Sequence, residues 1–232
     1  METKRITLFA GHYGSGKTNV AVNYALRLAK EGRRVLIADL DIVNPYFRTK
    51  DSEKELAEAG VELISPRYAN SNVDLPALPP ESYRAVQDTS SYAILDIGGD
   101  DRGAYALGRF ADAIKEENDY EMLFVANCYR PLTDTPEAAL EIMREIEAAA
   151  GIAFTGIVNN SNLGGETTRE TVLASLPFIE RLSELSGLPV WMHTAEAGVA
   201  LQLPELDVMP LTLQKKYFDL PDEGSSQSGG IQ

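Results

Sequence analysis

The sequence contains one cysteine, Cys128, among 232 residues. A single cysteine excludes a disulfide framework, and without a CxxC pair there is no pattern for a cysteine-bound zinc ion or iron–sulfur cluster. Basic residues are also few, because 21 lysines and arginines stand against 35 acidic residues, which gives a formal net charge of −14. A field of this sign repels nucleic acids and anionic membranes, so we expect neither as a partner.

Long apolar segments are missing too. No run approaches the roughly 20 residues that cross a bilayer, and no secretory leader pattern stands at the beginning. We therefore expect a cytoplasmic protein. The composition, 44% hydrophobic and 24% charged, is that of an ordinary globular protein, and 232 residues suit a single α/β domain.

Three of the 18 glycines lie within one short stretch near the beginning of the chain. Residues 11–18, GHYGSGKT, match the phosphate-binding loop pattern G-x4-G-K-[ST] at every fixed position. An apolar, β-prone run precedes the motif over 6–10, and apolar residues at helical spacing follow it over 19–30. A strand, a glycine-rich turn and a helix are the context that this motif requires. The motif comprises Gly11, His12, Tyr13, Gly14, Ser15, Gly16, Lys17 and Thr18.

Each part of the motif has a physical reason. The glycines let the backbone come close to a ligand, and successive N–H groups then line a concavity at a helix N-terminus, where the helix dipole favours phosphate. Lys17 is expected to place its charge against the β- and γ-phosphates of a nucleotide, and the Thr18 hydroxyl is expected to bind Mg²⁺. The motif therefore predicts a nucleotide site.

Strand-like and helix-like segments alternate along the chain. This alternation predicts an α/β fold with a mostly parallel, twisted sheet and helices on both faces. We expect one P-loop domain over 1–220 and a disordered tail over 221–232, which is rich in Ser and Gly. The Pro-rich stretch 61–80 is expected to be a loop with one short strand at 61–64.

The other element boundaries follow from periodicity and breaker residues. Strands are predicted at 6–10, 33–39, 92–99, 122–127, 154–158 and 190–193, the last of these being the final core strand. Helices are predicted at 19–30, 51–59, 103–117, 135–150, 167–185 and 211–220. The helix at 135–150 is expected to begin after a cap at Thr133 or Asp134, with Pro136 in its first turn.

Polar residues follow several predicted strands, at the edge where open α/β sheets bind ligands. Asp39 and Asp41 alternate after the second strand, where carboxylates can hold metal-bound water or orient an attacking one; two solvated loop acids are the alternative. Asp96 suits a carboxylate that holds Mg²⁺ or its waters, with a helix cap as the alternative. Asn159 and Asn160 offer carboxamides that suit the edge of a nucleotide base, although asparagine is also a common turn residue.

Together, 11–18, 39–41, 96–99 and 156–160 resemble the motifs of the MinD/ParA-type branch of the P-loop NTPases. That group also includes CobQ/CobB-like proteins and dethiobiotin synthetase. The resemblance covers about 4–197, most of the chain. It implies a seven- or eight-stranded, mostly parallel sheet, Mg-ATP as the ligand, and ATP hydrolysis coupled to dimerisation or to a client.

The resemblance also implies roles for the charged residues at the phosphates. Lys17 and Thr18 would bind phosphate and Mg²⁺. Asp41 would position the attacking water, while Asp39 and Asp96 would lie in the magnesium shell.

The same resemblance bears on the base. Asn160, four residues after Gly156, falls where the family places its base-contacting asparagine, with Asn159 as the alternative. Metal-chaperone GTPases share the loop core, but the sequence has no N-K-x-D guanine motif and no Cys/His metal tract. Mg-ATP stays the ligand that the resemblance implies.

The loop departs from the family pattern at His12. MinD/ParA-type loops usually carry a second lysine directly after the first glycine, which reaches across a dimer to the partner's phosphates. Histidine is shorter, and at its ordinary pKa near 6.5 it is mostly uncharged at neutral pH. His12 is either a phosphate contact or only a loop residue. Because the second lysine is missing, ATP hydrolysis through the usual sandwich dimer is in question.

Three functions fit these observations. The leading one is a slow ATPase whose bound nucleotide acts as a switch on a partner, either a second copy of the chain or a protein client. The second is an ATP-dependent small-molecule ligase or kinase resembling dethiobiotin synthetase, with 67–80 and the turn 44–48 forming its acceptor site. The third is a module that binds ATP without turning it over.

Overall fold

The computed structural model describes residues 3–40, 49–65, 80–99 and 101–213. Within these ranges eight strands form one parallel sheet, in the order β3-β2-β4-β1-β5-β6-β7-β8. The strands are β1 (Ile6–Ala10), β2 (Val35–Asp39), β3 (Glu62–Ile64), β4 (Tyr92–Asp96), β5 (Tyr120–Ala126), β6 (Gly156–Asn159), β7 (Val190–Glu196) and β8 (Val208–Leu211). The predicted parallel α/β sheet is confirmed.

Helices connect these strands. They are α1 (Lys17–Lys30), α2 (Glu53–Glu58), α3 (Arg84–Gln87), α4 (Asp101–Gly108), α5 (Ala111–Glu117), α6 (Pro136–Ala150), α7 (Arg169–Ala174), α8 (Leu176–Ser186) and α9 (Ala197–Ala200). No helix in the described part of the chain is both long and apolar enough to span a membrane.

The sheet divides the core into two halves. Because successive residues of a strand point to opposite faces, Leu8 of β1 packs with Phe110 and Met143 on one side, while Phe9 packs with α1 on the other. On the α1 side the rings of Phe9 and Tyr24 meet edge to face at 5.5 Å. Both faces of β1 are thus buried, which explains its continuous apolar run and fixes the start of the loop that follows it.

The helix predicted at 103–117 is two helices. α4 ends at Gly108, and Phe110 N donates to Leu107 O at 2.8 Å in a tight turn before α5 begins. Phe110 is buried, and its ring lies 4.8 Å from the ring of Tyr83. The helical spacing of apolar residues continues through the break because both helices turn their apolar sides to the same core.

The helix predicted at 167–185 is likewise interrupted, at Ser175. α7 begins after the Thr168 cap, whose hydroxyl accepts from Thr171 N, and α8 follows with Pro177 in its first turn. Proline has no N–H to donate to the carbonyl four residues earlier. The break therefore lies where that hydrogen bond would be missing. The helix was predicted to end at Gly187, and this residue has the left-handed conformation of a helix cap.

Two further boundaries were wrong. Residues 190–193 are not in the final core strand, because β8 pairs with β7 beyond them. Its four residues include Pro210, which an edge strand tolerates but which hides a strand pattern. The cap of α6 is Thr135, whose hydroxyl accepts from Ala138 N at 3.2 Å, rather than Thr133 or Asp134; Pro136 does begin the helix.

Several predictions fall on residues outside the described ranges. They include the turn 44–48, the greater part of the loop 61–80, the helix at 211–220 beyond residue 213, and the tail 221–232. The domain limits of 1–220 stay a prediction.

Candidate functional site

The predicted phosphate-binding motif forms the connection between β1 and α1. β1 ends at Ala10 and α1 begins at Lys17, so the motif starts at the carboxyl edge of the sheet and runs into a helix N-terminus. Ser15 N donates to His12 O at 3.1 Å and closes the turn. No side chain of the described residues caps α1. Its first N–H groups therefore point into the site, as they do where helices bind anions.

Two glycines hold this loop against the rest of the sheet. A Cβ on Gly11 would lie 2.5 Å from the carbonyl oxygen of Val125 in β5. A Cβ on Gly16, whose φ is +87°, would lie well inside 3.0 Å of Asn160 Nδ2, a separation that real Cβ atoms essentially never show. Glycine is therefore required at both positions, because the loop backbone touches β5 and the residue that follows β6.

Asn160 is the residue that ties the loop to the other half of the sheet. Its Nδ2 donates to Ser15 O at 2.7 Å, and its Oδ1 accepts from the Thr194 hydroxyl at 2.7 Å. The side chain is only 3% exposed. One amide N–H of Asn160 is used by Ser15, and a second remains on the same nitrogen. Its predicted contact with a base stays a prediction.

Asn159 points away from the loop. Its Nδ2 lies 2.9 Å from the Ser175 hydroxyl and 3.2 Å from His193 Nδ1, and its Oδ1 accepts from Ser161 N. Burial lowers the pKa of His193, partly opposed by the charges of Asp207 and Glu180. The neutral ring can accept the hydrogen bond from Asn159. Of the two asparagines, the geometry places Asn160 at the loop.

Lys17 is the buried cation of the site. It is 6% exposed, and no carboxylate of the described residues forms an ion pair with it. The segment after β4 lies directly against its amine, since a Cβ on Gly99 would be 2.9 Å from Lys17 Nζ and 2.8 Å from Tyr13 N. The segment that follows Asp96 therefore lies on the loop at Gly99.

The predicted acids meet at one edge of the sheet. Asp39 and Asp96 are in register on the neighbouring strands β2 and β4, which lie about 4.8 Å apart, and each is 1% exposed. The Thr49 hydroxyl, itself fully buried, donates to Asp96 Oδ2 at 3.0 Å. Asp41 lies outside the described residues. Thr18, half-buried, is the second residue of α1.

These side chains fit a hard cation. Carboxylate and hydroxyl oxygens are the ligands that Mg²⁺ prefers, and Mg²⁺ is commonly held by one or two carboxylates together with nucleotide phosphates. Among the described residues no group of three or more His, Cys, Asp or Glu side chains could hold a metal ion without such help. Asp39, Asp96 and Thr18 therefore suit a metal that arrives with a phosphate.

His12 and Tyr13 lie toward the surface of the loop. His12 is half-buried, with Nδ1 3.0 Å from Tyr13 O, and Tyr13 is 55% exposed. His12 thus stands at the open side of the loop. Its role toward phosphate stays a prediction.

Two side chains near the loop were not found from the sequence. Thr49 contacts Asp96 across 47 residues of chain, and no local motif marks it. Arg130, in the connection from β5 to α6, passes beside Gly14, with Nε 3.7 Å from the position of a Cβ on that glycine. The only signal for Arg130 was its place after a predicted strand, at the ligand-binding edge of the sheet.

A family model supports the same site. The model of the CobQ/CobB/MinD/ParA nucleotide binding domain matches residues 6–185. The matched range includes the loop, the acids that end β2 and β4, and both Asn159 and Asn160. No reviewed protein sequence gives a significant match to the chain.

Solved structures with the same fold include three FtsY proteins. FtsY from Mycoplasma mycoides is 19% identical with a TM-score of 0.55, over 83% of this chain and 60% of that one. The cell division protein FtsY from Thermotoga maritima is 16% identical with a TM-score of 0.57, over 84% and 62%. The signal recognition particle receptor FtsY from Elizabethkingia anophelis, in complex with GDP, is 15% identical with a TM-score of 0.51, over 84% and 58%. The chain spans about three fifths of these structures, and the similarity concerns the fold.

Proposed function

The chain belongs to the family of CobQ/CobB/MinD/ParA nucleotide-binding domains, and on that premise we propose that it binds Mg-ATP and uses the bound nucleotide as a switch on a partner. The observation that carries this proposal is the meeting of one buried cation and two buried carboxylates at a glycine-rich helix N-terminus. Lys17, Asp39 and Asp96 supply these charges. The proposal concerns this domain, which is shorter than the FtsY chains of the same fold.

The positive and negative groups of the site have different roles at the phosphates. Lys17 and the N–H groups at the start of α1 attract the negative oxygens of the nucleotide. Carboxylate and hydroxyl oxygens are the ligands that Mg²⁺ prefers. Mg²⁺ bound to the phosphates would be held by Asp39, Asp96 and Thr18, while the Thr49 hydrogen bond fixes the orientation of the Asp96 carboxylate. The metal neutralises phosphate charge when it is bound.

The residues after β6 favour adenine over guanine. Guanine presents neighbouring N–H donors on its base-pairing edge and is best recognised by a carboxylate. Asn160 is followed by Ser161, Asn162 and Leu163, none of which is acidic. The Ser161 hydroxyl accepts from Cys128 N, and Asn162 Oδ1 accepts from Gly164 N, so both are occupied by the backbone. A bound guanine would leave donors without acceptors, which costs about 1–3 kcal/mol for each buried group.

This assignment predicts the nucleotide preference. We expect Mg-ATP to bind about 10- to 100-fold more tightly than Mg-GTP, which corresponds to one unsatisfied donor group. Displacement of a fluorescent ATP analogue by each nucleotide, with Mg²⁺ and with EDTA, measures both the base preference and the metal dependence. Equal or tighter binding of GTP would contradict the adenine assignment and leave the nucleotide site intact. If neither nucleotide displaces the analogue, the proposed function is wrong.

Exposed large side chains favour a partner. They include Tyr13 of the loop, Tyr105 of α4, and Leu132 and Leu163 in the connections after β5 and β6. Exposed apolar surface commonly marks an interface. A second copy of this chain or a protein client would cover these residues when nucleotide is bound, and Asp41 would position the water for hydrolysis.

Light scattering distinguishes the switch from the other two functions. With Asp41→Ala to slow turnover, we expect ATP to bind normally and the mass of the particle to double relative to the nucleotide-free protein. Wild-type protein with ADP is the control and should remain at the smaller mass. A constant mass in all conditions would argue against the dimeric switch and favour the substrate enzyme or the non-hydrolysing module. Loss of ATP binding in Asp41→Ala would mean that Asp41 is structural.

A further inference from the structure

The connection between β5 and α6 is held in a fixed turn beside the phosphate loop. Asn127, fully buried, accepts from Tyr129 N and Asn162 N through its side chain, at 3.0 and 3.3 Å. Its carbonyl accepts from Arg130 N at 3.2 Å and from the Thr133 hydroxyl at 3.0 Å. Because the backbone at Arg130 is fixed in this way, the direction of its side chain is set by the fold.

That side chain runs onto the glycine-rich loop. Nε and Cδ of Arg130 lie 3.7 and 3.8 Å from the position of a Cβ on Gly14. Nε is inaccessible to solvent yet has no hydrogen-bond partner, and Arg130 forms no ion pair with any described carboxylate. A buried guanidinium N–H without an acceptor is costly, since hydrogen bonds to charged groups are among the more valuable ones. A phosphate bound in the loop would satisfy it once the side chain turned toward that phosphate.

The chemistry of arginine matches the ligand proposed for this loop. A guanidinium offers five donors in a planar fork that fits phosphate oxygens, and it stays charged at all relevant pH values. The lysine of the loop itself is Lys17. Arg130 approaches the loop from the same chain, so it needs no dimer to reach the site.

We propose that Arg130 is a phosphate-binding residue that supplies a second permanent positive charge to the nucleotide from within the same chain. The inference rests on the proposed nucleotide site and adds a residue to it. The guanidinium contacts a phosphate oxygen of bound Mg-ATP, and the arginine lies against the loop at Gly14. Nucleotide binding thereby pairs the buried Nε group.

The test compares Arg130→Met, which keeps an unbranched apolar stem, with Arg130→Lys, which keeps the charge. We expect the affinity for Mg-ATP to fall about 10- to 100-fold in Arg130→Met and to be partly restored in Arg130→Lys. Arg144→Met, at an exposed position on α6, removes the same charge from a distance and should change the affinity less than twofold. Binding is measured by calorimetric titration of ATP in the presence of Mg²⁺.

Thermal melting of the nucleotide-free proteins separates a binding role from a structural one. Arg130→Met should melt at the wild-type temperature or slightly higher, because a buried donor without a partner is removed, while the stabilisation by added ATP should shrink. Wild-type affinity in Arg130→Met would overturn the inference and leave the nucleotide site standing. A fall in affinity that accompanies a lower melting temperature without ATP would also overturn it, as a structural effect. If the wild type binds no Mg-ATP, the proposed function and this inference both fail.

Discussion

Replacing Lys17 with alanine is expected to weaken Mg-ATP binding by at least about a hundredfold. A hydrogen bond between charged groups contributes about 1.5–3 kcal/mol, and each 1.4 kcal/mol is a factor of ten in affinity. Lys17 lies near the upper end of that range, because it is 6% exposed and its amine is enclosed by the segment at Gly99. Charge interactions are screened little in such a buried position. Calorimetric titration of the variant with ATP and Mg²⁺ measures the loss.

Lys30→Ala is the matched control for this variant. Lys30 ends the same helix but is exposed at the opposite terminus. Its replacement removes the same charge and should leave the affinity within twofold of wild type. Circular dichroism should show both variants folded. Unchanged affinity in a folded Lys17→Ala protein would contradict the proposed function, because no other buried cation of α1 could take the place of Lys17.

The parts of this site that a short segment encodes could be predicted from the sequence. The loop at 11–18 needs a strand before it and a helix after it, and both were visible as local patterns of apolar residues. Asp39 and Asp96 could be assigned to strand ends because an acid that follows a buried apolar run marks the carboxyl edge of a parallel strand. Their placement side by side then depended only on the sheet being parallel, which the alternation of strands and helices indicated.

The parts that depend on distant contacts could not be predicted in the same way. Asn160 reaches Ser15 across 145 residues of chain, and Thr49 reaches Asp96 across 47. Nothing local distinguishes these polar side chains from residues of an ordinary turn. The break before α5 follows Gly108, but a glycine inside a helical pattern only weakens a helix, and the packing of Phe110 against Tyr83 is not recorded in that pattern. Packing between elements decides such features, and one sequence does not record it.

Replacing Gly16 with alanine is expected to destabilise the fold by about 2–5 kcal/mol and to abolish nucleotide binding. Alanine in the left-handed conformation at φ +87° costs about 1–2 kcal/mol. The new methyl group would also displace the Asn160 carboxamide, whose Nδ2 and Oδ1 each make a hydrogen bond of 2.7 Å. Breaking these bonds in a buried site costs about 1–3 kcal/mol more. For a chain of this size the melting temperature should fall by about 10 °C, as measured by calorimetry.

Two further variants separate the contact from the backbone strain. Gly32, after α1, has φ +79° with nothing within 4 Å of a Cβ, so Gly32→Ala should cost only the strain and lower the melting temperature by about 3 °C. Asn160→Ala removes the group that the methyl would meet. In that background Gly16→Ala should cost no more than Gly32→Ala does in the wild type, so the two substitutions would be non-additive. If the stability losses of the two substitutions were fully additive, the backbone conformation alone would make glycine necessary at position 16. The contact with Asn160 would then play no part.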